Sequence, residues 1–156
     1  MKTALFFAAA LAVADPISDI ARAQEINLLV HESITYVATP FVIKTPAQTF
    51  LTGGDCADMS AYIIWLLEDE GIHGAEMLLL DLDNYVPHHA IVRLWGVMFD
   101  PVSGLMFTDE FPLPHKMNHN VPWNDILILA NWKHISAEDW EIGEQIMGDD
   151  NNERSR

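Results

Sequence analysis

The chain has 156 residues, 50% of them hydrophobic, and carries 23 acidic against 8 basic side chains for a net charge of −15. That length suits a single domain with enough apolar material for a core. The shortage of Lys and Arg excludes a phosphate-gripping face, so nucleic acid is not an expected partner. One cysteine excludes an internal disulfide framework and a cysteine-rich zinc site.

The N-terminus reads as an export signal. Lys2 precedes an apolar run from Ala4 to Ala14, and Ala21-Arg22-Ala23 offers a small-x-small cleavage site before Gln24. This predicts a signal peptide over 1–23, a secreted or periplasmic product, a domain over 24–148 and a polar tail over 149–156. The earlier Ala12-Val13-Ala14 also fits the small-residue rule but would make a very short signal. Asp15, Pro16 and Asp19 stop the apolar run short of the ~18 residues a membrane span needs. No stable span is expected, and cleavage after Ala23 leaves the net charge at −15.

Gln24 to Val37 carries Ile26, Leu29, Val30, Ile34 and Val37 at helical spacing, and Pro40 ends it. Lys44 to Leu51 is a short turn or helical approach to a glycine pair, with Thr45 or Thr49 as cap and Pro46 suited to a first helical position. Gly53-Gly54-Asp55-Cys56-Ala57-Asp58 then reads as a tight turn opening a helix that runs to Gly71. Met59, Ile63, Leu66 and Leu67 form its stripe, and Ala61, Tyr62, Ile64 and Trp65 widen it nearly all round, which predicts a central buried helix. A thiol in the first turn feels the free N–H groups and the positive end of the helix dipole, and both favour thiolate. Asp55 and Asp58 oppose this; the plainer reading is a lone buried Cys packing as a small hydrophobe.

After Gly71 the pattern changes to strands. Ala75 to Leu82 is an apolar run of strand length; Asp83, Asn84 and Pro87 mark a turn. His88 to Leu94 and Val97 to Phe99 flank Trp95-Gly96 as a hairpin, and Asp100-Pro101 closes it. Val102 to Asn124, with Pro112, Pro114 and Pro122, reads as a long irregular segment. Ile126 to Ala130 is a buried-strand candidate, and Ser136 to Met147 a final helix.

Attack of a cysteine on a carbonyl needs a base, usually His, and a group to orient that His. The hairpin supplies both, and parity chooses between adjacent histidines. With Trp95-Gly96 as a two-residue loop, Leu94 faces Val97 and Ile91 faces Asp100. His89 is then the diagonal neighbour of Asp100 on the same face, while His88 points away. A three-residue loop reverses the choice.

Here the chain resembles a known family. Thr45-Pro-Ala-Gln-Thr-Phe-Leu-Thr-Gly-Gly-Asp-Cys56-Ala-Asp-Met-Ser, followed by a helix ending Glu70-Gly71-Ile72, is similar to the nucleophile segment of transglutaminase-like domains. His89-Ala90, a strand, a turn and Phe99-Asp100-Pro101 resemble its His and Asp segments, in the same order. The likeness covers roughly residues 26–102. It implies a papain-like α+β fold, with the Cys helix packed on an antiparallel sheet. It also implies Cys56 as nucleophile, His89 as general base then acid, and Asp100 as the orienting carboxylate. The expected reaction is acyl transfer from a peptide or protein amide through a thioester resolved by water, as in a cysteine peptidase or amidase; resolution by an amine, as in a transglutaminase, and a domain that keeps the fold without the activity are the alternatives. The short hairpin and the doubled histidine depart from the family. The Cys56 N–H is one expected oxyanion donor, and Gln48 a candidate for another beside its simpler reading as a solvent-facing helix residue.

Other signals read more plainly. His115 and His119 have a metal-like spacing only if helical, which the prolines oppose. Asp81, Asp83 and Asn84 lack the glycine and distal Glu of a calcium loop. Trp95, Trp123 and Trp132 are groove or packing residues, and Glu138, Asp139, Glu141 and Glu144 a solvated face. No cofactor or metal is expected.

Overall fold

The computed structural model describes residues 15–38, 43–82, 89–108 and 115–129. Helix α1 (Pro16–Ser33) starts where local chemistry favours it: Asp15 is the N-cap, accepting from the Ile17 N–H at 3.2 Å, and Pro16 follows. It buries Ala23, Ile26, Asn27 and Val30, one stripe at helical spacing. The helix begins earlier than the predicted Gln24 start and ends four residues before Val37. It also passes through 21–24 without a break, with Ala23 fully buried. The expected cleavage position therefore falls inside a packed helix; residues 1–14 lie outside the described residues.

Helix α2 (Pro46–Thr52) opens on a capping box: Thr45 accepts from the Gln48 N–H, and the Gln48 side chain accepts from the Thr45 N–H. Helix α3 (Cys56–Asp69) is the buried helix that the stripe predicts, with Tyr62, Ile63, Ile64, Trp65, Leu66 and Leu67 all inside. It ends on Gly71 at φ +76°, with the Ile72 N–H bonded to the Leu67 carbonyl and the Gly71 N–H to the Glu68 carbonyl. That is the Schellman pattern, which satisfies the last carbonyls of a helix.

The fold is α+β with a five-stranded antiparallel sheet in the order β4-β3-β2-β1-β5. The strands are β1 (Glu76–Leu82), β2 (His89–Leu94), β3 (Val97–Phe99), β4 (Met106–Phe107) and β5 (His115–Pro122). Met77, Ala90, Val92, Leu94 and Phe99 join α1 and α3 in the main core. Leu78, Leu80, Ile91 and Met98 cluster separately, as period-two alternation requires of the other face.

Trp95 and Gly96 form a two-residue loop with φ +53° and +83°, the signs of a type I′ turn. Trp is an unusual occupant of that position; its indole N–H donates to Asp19 on α1 at 3.1 Å.

Two expectations are overturned. The segment predicted as irregular contains β4 and β5, and β5 pairs along all of β1 with a register shift at Leu79/Leu80. Ile126 lies in helix α4 (Trp123–Leu129), not a strand. A short apolar run does not distinguish the two. The turn at 83–88 and the proposed helix at 136–147 lie outside the described residues. No helix among the described residues is long and apolar enough to cross a membrane.

Candidate active site

Cys56 is the first residue of α3 and is half-buried. Its turn is held by two carboxylates. Asp55 accepts from the N–H groups of Ala57 at 2.9 Å and Asp58 at 3.0 Å. Asp58, only 1% exposed, accepts from the Asp55 N–H at 3.1 Å and the Lys44 N–H at 2.7 Å. The acids that oppose a thiolate on paper thus spend their lone pairs on backbone donors. Asp58→Ala would leave two backbone N–H groups without that acceptor. It should cost about 2 kcal/mol in urea unfolding; a loss below about 0.5 kcal/mol would contradict this account of the turn.

His89 is the first residue of β2, and Asp100 follows the end of β3. The observed pairs Leu94↔Val97 and Val92↔Phe99 are those of a two-residue loop, so Asp100 comes opposite Ile91. His89 Nε2 and Asp100 Oδ1 are 3.1 Å apart. The same imidazole hydrogen-bonds Cys56. His88 lies outside the described residues. The structure therefore gathers Cys56, His89 and Asp100 into one chain of polar contacts drawn from α3, β2 and the β3–β4 loop.

The loop around Asp100 is itself fastened. Its carboxylate accepts from the Val102 N–H and the Ser103 hydroxyl, each at 2.9 Å. Helix α1 grips the same loop: Gln24 Nε2 donates to the Gly104 carbonyl at 3.1 Å and Asn27 Nδ2 to the Leu105 carbonyl at 3.4 Å. Ser103 was not singled out from the sequence. The signal was there, in a hydroxyl three residues after an Asp in a Pro-bearing turn.

Electrostatics follow from these contacts. Burial alone would depress the His89 pKa. The hydrogen bonds to Asp100 and Cys56 and the attraction of their charges outweigh it, lifting His89 to about 9. Burial would raise the Asp100 pKa, but His89, Ser103 and the Val102 N–H together hold it below the usual carboxylate range.

Gln48, the loose candidate for an oxyanion donor, has its side-chain oxygen in the α2 capping box. His115 and His119 lie on a strand, which removes the helical premise of their spacing. Among the described residues no group of three or more His, Cys, Asp or Glu could hold a metal ion. A cleft of about 410 Å³ lies at the far end of α3, lined by Glu68, His73, Glu76 and Trp123. A 14-residue helix is about 20 Å long, so this cleft is remote from the sulfur. No family model, curated protein or solved structure matches the chain.

Proposed function

We propose that the protein is a thiol-dependent acyl-transfer enzyme, a cysteine peptidase or amidase acting on peptide or protein substrates, with the papain-like arrangement of the transglutaminase-like domains its sequence resembles. The observation that carries this reading is the contact series Cys56–His89–Asp100, three separate elements converging on one imidazole. His89 takes the thiol proton and the sulfur attacks the amide carbon. The carbonyl electrons pass to oxygen and return as the C–N bond breaks, and His89 protonates the departing amine. Water, deprotonated by His89, then cleaves the thioester. Asp100 holds the ring in the required tautomer and balances the imidazolium.

The test is alkylation by iodoacetamide at neutral pH beside turnover of fluorescent casein. Cys56 should alkylate at least about tenfold faster than glutathione, and casein should be cleaved. Incorporation of dansyl-cadaverine without cleavage would reassign the enzyme as a transglutaminase. A thiol no faster than glutathione would leave a binding module and end the enzymatic reading.

A further inference from the structure

Tyr36 lies just beyond α1, yet the backbone brings it to the nucleophile. Residues 35–37 run beside the glycine pair as a parallel bridge, Tyr36 opposite Gly54. The Gly54 N–H donates to the Thr35 carbonyl at 3.1 Å and the Val37 N–H to the Gly54 carbonyl at 2.9 Å. Gly54 is two residues ahead of Cys56, so this clasp fixes Tyr36 against the turn that carries the sulfur. Tyr36 is 52% exposed, so an incoming molecule can reach it. We infer that Tyr36 is a further catalytic residue, donating its phenolic O–H to the substrate carbonyl oxygen as Cys56 attacks.

This rests on the acyl-transfer reading above. As the C–S bond forms, the carbonyl electron pair moves to oxygen, and a donor waiting at that oxygen stabilises the charge without taking or giving a proton. The phenol is suited to the task. Burial, then the charges of Cys56 and Asp55, raise its pKa above the ordinary 10.0, so the donor keeps its proton throughout the working range.

Two reactions of the same sulfur separate this role from a structural one. Acetylation by p-nitrophenyl acetate passes through a tetrahedral oxyanion and releases p-nitrophenolate; alkylation by iodoacetamide displaces iodide and forms none. Tyr36→Phe keeps the ring and removes only the donor. It should slow the acetylation burst about 10- to 100-fold while alkylation stays within about twofold of wild type. Equal loss in both reactions would mean that Tyr36 acts through Cys56 or His89 and overturns the assignment, as would no loss in either. A wild-type sulfur no more reactive than glutathione toward both reagents sinks the parent reading instead, and that outcome is distinct because it appears before any substitution is made.

Discussion

Replacing His89 with Ala should slow acylation of Cys56 by p-nitrophenyl acetate about 10²- to 10⁴-fold at neutral pH. On the acyl-transfer reading, the variant lacks both the base that takes the thiol proton and the cation that faces the sulfur. Asp100 keeps the Val102 N–H and the Ser103 hydroxyl, so the loop has reason to hold its shape. The folded state can be checked by circular dichroism beside the rate. The same variant should also change how stability depends on pH. Folding raises the His89 pKa from 6.5 to about 9, so the native state binds a proton that the unfolded chain releases earlier. The stabilisation is complete below 6.5 and vanishes as pH rises through about 9. Asp100 acts in the opposite sense: its pKa lies below the ordinary 3.8, so its contribution is present above that value and fades only on further acidification. The urea midpoint of the wild type should therefore descend between about pH 7 and about pH 10, and His89→Ala should lack that component. Equal acylation rates, or parallel pH profiles, would dissolve the link between His89 and Cys56.

Gly53→Ala should destabilise the protein by about 3–5 kcal/mol. Gly53 has φ +74° and ψ 174°, a conformation essentially reserved for glycine; another residue pays about 1–3 kcal/mol to hold it. A Cβ there would also collide with the Thr35 carbonyl oxygen and approach Val37 Cγ2 to 2.9 Å. The carbonyl has little freedom to retreat, because it accepts the Gly54 N–H. Gly71→Ala is the control. It has nearly the same φ, +76°, but nothing within 4 Å of its added carbon, so it should cost only about 1–2 kcal/mol. Urea denaturation of both variants compares strain plus clash at Gly53 with strain alone at Gly71. If the two lose the same amount, the clasp between 35–37 and 53–54 is not rigid, and Tyr36 is not anchored as described.

The readable parts of the molecule were those whose cause is local. Thr45, Pro46, Asp55 and Gly71 announce helix ends because each acts on backbone groups within a few residues of itself. His89 and Asp100 were paired by counting, since a two-residue loop leaves only one parity. What escaped depended on distant partners. Strand β5 is a run of polar residues around His115 to Asn120 with no alternation to betray it; it exists because β1 offers a free edge. The apolar stretch at Ile126 fits helix and strand equally until its neighbours choose. The bridge from Tyr36 to Gly54 is not legible locally, because its two ends lie 18 positions apart.

Helix α1 also bears on the bond between Ala23 and Gln24. Arg22 forms a two-pronged ion pair with Glu70, at 2.6 and 2.8 Å, and Asp19 holds the hairpin's indole. Any peptidase aiming between Ala23 and Gln24 needs an extended strand in its cleft, and the finished fold presents a coiled, anchored one. Folding thus shields that bond.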